Sequence, residues 1–248
     1  MNTPKKSPFE LWQDTINLAI KDKKWHEYDS DIQLAVNEFN RHLANTKGYV
    51  LLDWRLIKAM VWTESGATSD AWTTRPIQIG NPGDPGLDSL ISGKEGGELI
   101  LPDDLKRNLN AADVRKLPGL NIRAGIAYLL MRCANYGFES QVDKSDNKVY
   151  DYVVQPGDNL DKIARMKGST LDVLKKLNPK AATGVLQIKQ VVKYQKASIQ
   201  KVITGWQRID TKLIARRYNT AQGDPKYAEK LDYCLTVIDK TQGAAFPK

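Results

Sequence analysis

Residues 54–66 read Trp-Arg-Leu-Ile-Lys-Ala-Met-Val-Trp-Thr-Glu-Ser-Gly and place a glutamate on the inner face of a predicted helix. Ile57, Met60 and Val61 recur at helical spacing, and Glu64 follows on the same face. Partial burial and the negative end of the helix dipole both disfavour the charged carboxylate. The sequence therefore predicts a raised pKa for Glu64, which suits a general acid near neutral pH.

Three later segments carry polar side chains at or near the ends of predicted elements. Gln78 lies in residues 75–84, a Gly/Pro-punctuated stretch that predicts loop or short strand. Tyr128 lies on a predicted helix over about residues 120–136. Tyr218 and Asn219 close another amphipathic stretch.

The ordered motifs Glu-Ser-Gly, Ile-Gln-Ile, Asn-Ile with a later Gly and Tyr-Leu, and Tyr-Asn resemble the signature of the soluble lytic transglycosylases. The resemblance covers about residues 50–137 and 197–235. It implies a lysozyme-like, mainly α-helical domain with Glu64 as the catalytic residue. The substrate-binding residues that it implies are Ser65, Gln78, Tyr128, Tyr218 and Asn219.

The resemblance also implies a mechanism in which one glutamate makes both proton transfers. Glu64 would protonate the glycosidic oxygen of the MurNAc–GlcNAc β-1,4 bond and then deprotonate the C6 hydroxyl, closing a 1,6-anhydro ring. A hydrolytic muramidase is an alternative, and it would need a second carboxylate or a held water, for which Asp84 and Asp70 are candidates. A noncatalytic peptidoglycan-binding adaptor is a third hypothesis.

A second pattern occupies residues 150–194. Tyr152 and Val154 alternate with their neighbours as in a short strand, and two capped helical patterns follow. Leu186, Ile188 and Val192 then predict a returning strand. Strand, two short helices and strand form a small βααβ module.

Two motifs in this segment resemble the LysM domain: Tyr-Val-Val-Gln-Pro-Gly-Asp-Asn-Leu over residues 152–160 and Leu-Asn-Pro at 177–179. The resemblance implies binding of N-acetylglucosamine-containing glycans through two loops. The glycan-binding residues that it implies are Gly157, Asp158, Asn159, Leu160, Asn178, Pro179, Leu186 and Ile188.

The fold class expected is α+β: a mainly helical lysozyme-like domain, residues 1–138 and 197–248, interrupted by the LysM module at 150–195. Paired terminal strands bring the module's ends together, so it can enter a surface loop. Residues 139–148 and 193–198 are predicted as linkers. A helix is expected to resume at Ile199, Val202, Ile203 and Trp206.

Three further predictions concern the host domain. Residues 8–47 predict two amphipathic helices, and residues 81–120 predict a long loop region beside the site. Gly125 costs helix stability relative to alanine, which indicates close packing there, with the catalytic helix as the expected neighbour. Cys133 and Cys234 predict buried free thiols, although a disulfide between them stays open.

The chain has a net charge of +8, which favours a polyanionic partner. Nucleic acid is not expected, because no recognition helix or zinc-finger spacing is present, and peptidoglycan glycan strands fit better. The cysteines and histidines lack metal-ligand spacing, so neither a metal nor a cofactor is expected.

The first residues lack the apolar core of a signal peptide, and no apolar run has the length of a membrane span. The expectation is synthesis in the cytoplasm and action in the periplasm or cell wall after delivery. A secretion-system or phage-type component would deliver an antibacterial effector or lysin. A periplasmic immunity or inhibitor protein would then be a further partner.

Overall fold

The structure is a computed structural model that describes residues 5–219 and 223–243. The chain divides into two units. The host unit comprises the chain up to Asn135 and from Ile203 onward, and the inserted unit is Tyr136–Val202. Helices dominate and two small two-stranded sheets accompany them, so the α+β class predicted from the sequence is confirmed.

The elements follow one another in this order. The first part of the host unit holds α1 Pro8–Asn17, α2 Asp29–Leu43, α3 Trp54–Glu64, α4 Gly86–Ser92, α5 Gly97–Ile100, α6 Asp103–Asn108, α7 Ala111–Val114 and α8 Pro118–Cys133, with 3-10 turns at Leu18–Ile20, Lys23–His26 and Asp70–Thr73. Then come β1 Ala134–Val142, β2 Tyr150–Val153, α9 Leu160–Lys167, α10 Leu171–Leu177, α11 Pro179–Thr183, β3 Val191–Tyr194, β4 Ala197–Trp206, α12 Thr211–Arg217 and α13 Tyr227–Gly243. None of the described helices combines the length and the apolar character that crossing a membrane requires.

Helix α3 forms the centre of the host unit. Asp53 caps its N-terminus by accepting a hydrogen bond from the Arg55 amide, and the helix ends at Glu64 as predicted. Its inner residues Ile57, Met60 and Val61 are fully buried. Helices α2 and α13 pack against it. The two helices predicted over residues 8–47 are confirmed as α1 and α2.

Helix α8 supports the segment that follows α3. Asn121 is fully buried, accepts a hydrogen bond from the Ile77 amide and donates to the Ile79 carbonyl. A Cβ atom at Gly125 would lie 2.4 Å from Cγ2 of Ile77 and 3.1 Å from the Tyr218 hydroxyl. The close packing predicted at Gly125 is present, but its nearest neighbours are Ile77 and Tyr218 and not α3.

Two secondary-structure predictions for the chain were wrong. Residues 81–120 are not a long loop, because they form the four short helices α4 to α7. Each spans only four to seven residues, too few to display a helical period in the sequence. Residues 197–206 form strand β4, which pairs with β1, where the sequence predicted a linker and a helix. The β-branched run of Val202, Ile203 and Thr204 favours a strand, and over so short a stretch it outweighs the apparent helical spacing.

The inserted unit has its own small core. Strands β2 and β3 pair antiparallel, with Tyr150 opposite Tyr194 and Val153 opposite Val191. Asn159 caps α9 and Thr170 caps α10, which confirms the two capped helices predicted for this unit. The buried core residues are Val154, Leu160, Ile163, Ala164, Leu174, Ala181 and Val192.

The returning strand of the inserted unit is shorter than predicted. Leu186 and Ile188 precede β3, so neither is a strand residue. Leu186 packs against the core, whereas Ile188 is 61% exposed. The additional helix α11 begins at Pro179, a residue that suits the first position of a helix.

Cys133 and Cys234 are both buried free thiols, which settles the pairing that the sequence left open. Burial raises the pKa of each thiol to about 12. The Cys234 sulfur lies 3.6 Å from the Thr63 hydroxyl. Both cysteines therefore act as small core residues.

The packing around Gly125 gives a matched pair of stability predictions. Gly125→Ala should lower the free energy of unfolding by about 1–3 kcal/mol, because the new methyl group overlaps Ile77. Gly119→Ala, on the same helix, meets only an Asp31 oxygen at 3.9 Å and should leave stability unchanged or higher. Urea denaturation measures both. Equal stability of the two variants would contradict the packing described for α8.

Candidate functional site

Glu64 opens into a cleft of about 380 Å³ in the host unit. Helix α3, the segment after it, helix α8 and the end of α12 each contribute side chains to the lining. The lining residues are Glu64, Gln78, Ile79, Asn81, Pro82, Gly83, Asp84, Pro85, Tyr128, Tyr218 and Asn219. Five of the six residues that the sequence analysis named for the host site therefore share one cleft.

The Glu64 carboxyl group is held by a tyrosine. The Tyr227 hydroxyl donates a hydrogen bond of 2.5 Å to Oε1 of Glu64. Burial is the main cause that raises the pKa of Glu64, and Asp84 adds to it. Tyr227 and Lys230 oppose the shift, and the net result is a pKa of about 7. The raised pKa predicted from the sequence is confirmed. Near neutral pH the group is populated in both its acid and base forms, as proton transfer in both directions requires.

Gln78 connects the cleft wall to the end of α3. Its amide nitrogen donates to the backbone carbonyl of Glu64, and its oxygen accepts a hydrogen bond of 3.0 Å from Asn81. Its φ of 57° is in the left-handed region that a residue with a Cβ seldom adopts. Such backbone conformations persist where the surroundings enforce them, commonly at functional sites.

Ser65 lies behind the cleft lining. Its hydroxyl donates to the carbonyl of Pro76 at 2.7 Å, and the Val61 carbonyl is 3.3 Å away. This contact fastens the segment that carries Gln78 to the end of α3. Ser65 thus has a positioning role and is not among the residues that line the cleft, and the substrate contact that the resemblance implied stays a prediction.

Tyr218 and Tyr128 form an aromatic wall of the cleft. Their ring centroids are 5.7 Å apart with the planes at 67°. The Tyr218 hydroxyl donates to the Ile77 carbonyl at 2.8 Å, so the ring and not the hydroxyl is presented to a ligand. The side-chain nitrogen of Asn219 donates to the Asp224 carbonyl at 3.2 Å, and its side-chain oxygen takes no part in that bond.

The two aspartates considered for hydrolysis differ in position. Asp84 lines the cleft, but its two carboxylate oxygens accept backbone hydrogen bonds from Gly80 at 3.2 Å and from Gly86 at 2.8 Å. These bonds are those of a turn residue. Asp70 is exposed at the start of a 3-10 turn and is not among the residues that line this cleft.

Tyr227 is the functional residue that sequence reasoning missed. It is the first residue of α13, 163 positions after Glu64, and it is 4% exposed. The residues around Tyr227 in the sequence form no motif that would indicate Glu64 as its partner. Lys230, one turn further along α13, pairs with Asp224 at 2.5 Å and adds positive charge near the carboxyl group. Only the packing of α13 on α3 brings this pair to the site.

The polar side chains named for the inserted unit are mostly engaged in its own structure. Asp158 accepts from the Tyr152 hydroxyl and the Gln155 amide, each at 2.8 Å, and its side chain is 3% exposed. Asn159 caps α9, and Leu160 is buried. Asn178 joins α10 to β3 through the Leu174 carbonyl and the amide and carbonyl of Lys193.

The remaining named residues are accessible. Gly157 is exposed with a φ of 79°, and Pro179 and Ile188 are exposed too. Leu186 is only partly buried. The Asp158, Asn159 and Asn178 side chains already have partners, so backbone groups and apolar side chains are the accessible groups here.

Comparison with known protein families matches the LysM domain to residues 152–194, which correspond to β2 through β3. Residues 152–194 are a LysM domain. This LysM domain is a peptidoglycan-binding module, in agreement with the resemblance seen in the sequence. No curated protein and no solved structure matches the chain.

Within residues 5–219 and 223–243, no three His, Cys, Asp or Glu side chains lie together as a metal site requires.

Removing the Tyr227 hydroxyl should move the titration of Glu64. In Tyr227→Phe the pKa of Glu64 should rise above its value of about 7, because the lost hydrogen bond stabilises the carboxylate. Above its pKa the group loses the proton that a general acid needs, so the variant keeps its acid form to higher pH. Carbon-13 NMR of labelled glutamate measures the titration.

Tyr233→Phe is the matched control, because the Tyr233 hydroxyl on the same helix donates to exposed Asn17. It should leave the Glu64 titration where it is. A Glu64 pKa that falls or stays constant in Tyr227→Phe would show that the hydroxyl does not stabilise the carboxylate.

Proposed function

We propose that this protein is a peptidoglycan lytic transglycosylase whose host unit cleaves the MurNAc–GlcNAc β-1,4 bond. The observation that carries the proposal is the buried Glu64 carboxyl group, with a pKa of about 7, at a cleft that also holds Gln78, Tyr128 and Tyr218. The LysM domain supports peptidoglycan as the polymer. The ordered motifs that resemble this enzyme family supply the reaction class.

In the proposed reaction, the protonated form of Glu64 donates its proton to the leaving glycosidic oxygen. The carboxylate that results then accepts the proton of the C6 hydroxyl of the same muramic acid, as that oxygen bonds to C1. Glu64 is restored to its acid form, so one group completes the cycle. A pKa near 7 suits both transfers, and positioned acid–base catalysis contributes on the order of 10²–10⁴-fold.

The neighbouring residues assist this chemistry by position. The Tyr227 hydrogen bond holds the carboxyl group in one orientation. The rings of Tyr128 and Tyr218 offer a surface on which a sugar can pack, and Asn219 offers an amide for its polar substituents. Gln78 keeps the cleft wall attached to the end of α3.

A hydrolytic muramidase is the second candidate, and the presence of Asp84 in the same cleft favours it. Asp84 would have to orient a water molecule across the sugar. Its two backbone hydrogen bonds already use both carboxylate oxygens, so the transglycosylase is the stronger proposal.

Digestion of purified peptidoglycan tests the proposal directly. The unmodified chain should release fragments with 1,6-anhydromuramic ends, identified by mass spectrometry. Glu64→Gln should cut the rate by at least about 100-fold, because an amide cannot donate the proton. Glu229→Gln makes the same chemical change at an exposed position of α13 and should keep full activity.

The products separate the competing hypotheses. Reducing muramic ends, lost in Asp84→Asn, would establish the muramidase. Fragments would not be released by a noncatalytic adaptor, which would still sediment with peptidoglycan.

We also propose that the enzyme acts in the periplasm or cell wall as a delivered antibacterial effector or a phage-type lysin, since its proposed substrate lies outside the inner membrane. Bacteria producing the chain with an added export signal should lyse. Without that signal, or with the signal and Glu64→Gln, they should grow normally. Growth of cells that export the active chain would refute the cell-wall target.

A further inference from the structure

The basic residues of this chain are unevenly distributed. The inserted unit has twelve Lys and Arg against seven Asp and Glu, so it carries +5 of the net charge of +8. Asp172 is its last acidic residue. Residues 173–202 hold seven lysines and no acidic residue. One half of the LysM domain is therefore strongly cationic.

Four of these lysines surround Asn178. The Asn178 amide bonds to the Lys175 carbonyl, and its side chain bonds to the amide and carbonyl of Lys193. Lys176 and Lys180 lie two positions to either side of Asn178 along the chain. Residues 175, 176, 180 and 193 are all exposed, and we call them the basic face.

The basic face is electrostatically uncompensated within its own unit. In the part of the chain that the structure describes, none of its four lysines forms an ion pair, whereas Lys162 pairs with Asp158 and Arg165 with Asp161. Asp151 stands opposite Lys193 across the β2–β3 pair, and Asp172 lies three and four positions before Lys175 and Lys176 on α10. Two carboxylates cannot neutralise four ammonium groups.

Favourable interactions within the fold explain only some of the positions of these four lysines. Lys175 and Lys176 occupy the last turn of α10, where cations interact favourably with the helix dipole. Lys180 likewise lies in the last turn of the short helix α11, but Lys193 lies on strand β3 and has no such explanation. Like charges gathered on a surface repel one another. A ligand with negative charge would relieve that repulsion.

We propose that the basic face binds the carboxylates of peptidoglycan peptide stems. The face adjoins residues 178–188, which hold Asn178, Pro179, Leu186 and Ile188, four of the glycan-binding residues that the resemblance to LysM implies. A stem-bearing strand offers both a glycan and regularly spaced carboxylates, so the loops would hold the sugar while the lysines pair with the stem. This inference rests on the LysM assignment and not on the catalytic role of Glu64.

A binding assay with the full chain tests the proposal. Glu64→Gln is included throughout so that the polymer stays intact. The probes are peptidoglycan stripped of accessory polymers, the same material after an amidase has removed its stems, and an N-acetylglucosamine oligomer. Lys175, Lys176, Lys180 and Lys193 are changed together to Gln. This variant should bind stem-bearing peptidoglycan about tenfold more weakly, and the two stem-free probes as before.

The control variant removes the same charge from the host unit, with Lys21, Lys23, Lys24 and Lys47, all exposed, changed to Gln. It should bind all three probes within about twofold of the parent chain, since remote surface charges are screened at ordinary salt. Equal weakening in both variants would mean that only net charge matters, and would overturn the proposal. Weakening on the N-acetylglucosamine oligomer would overturn it as well.

The chain with its lysines intact gives an independent measurement. Its affinity for stem-bearing peptidoglycan should fall as salt is raised, and its affinity for the stem-free strand should change much less. Equal salt dependence on both would refute stem recognition. Tighter binding to peptidoglycan that retains phosphodiester polymers, or to duplex DNA, would assign the face to phosphates instead.

Discussion

The hydrogen bond between the Tyr227 hydroxyl and the Glu64 carboxyl group joins two parts of the chain that are 163 positions apart. It requires α13 to lie along α3, and these two helices make the most extensive helix–helix contact in the host unit. The same contact removes the carboxyl group from water, which raises its pKa to about 7. Core packing and the chemistry of the cleft are therefore consequences of one arrangement.

The cleft depends on a second set of contacts beneath it. Buried Asn121 holds the segment from Ile77 to Ile79 against α8 by hydrogen bonds. Gly125 lets Ile77 pack closely on α8, because it has no side chain. Ser65 fastens Pro76 from the other side. With its backbone held at both ends, Gln78 can adopt a left-handed conformation that would otherwise be disfavoured.

The inserted unit divides its polar residues between two uses. One set forms caps and connects secondary-structure elements, and it consists of Asp158, Asn159 and Asn178. Their side-chain hydrogen bonds to the backbone stabilise the LysM domain. Its lysines around Asn178 serve no such purpose. Residues that stabilise this fold and residues that remain available to a polymer are thus separated in a unit with a very small core.

Local patterns determined much of this protein from the sequence alone. The apolar spacing of α3 placed Glu64 on a buried face, and its position at the helix end predicted the raised pKa. The capped helical patterns of α9 and α10, together with the sequence motif that resembles LysM, predicted the inserted module. These features depend on residues within a few turns of one another, so a linear sequence displays them directly.

The tertiary structure decided what no local pattern carries. Contacts between distant segments bring the Tyr227 hydroxyl to the Glu64 carboxyl group and the Ser65 hydroxyl to the Pro76 carbonyl. Strand β4 replaced a predicted helix because its pairing with β1 satisfied the backbone there. The sequence determined which faces are apolar and where helices begin, whereas packing determined which side chains meet, because that depends on partners tens to hundreds of positions away.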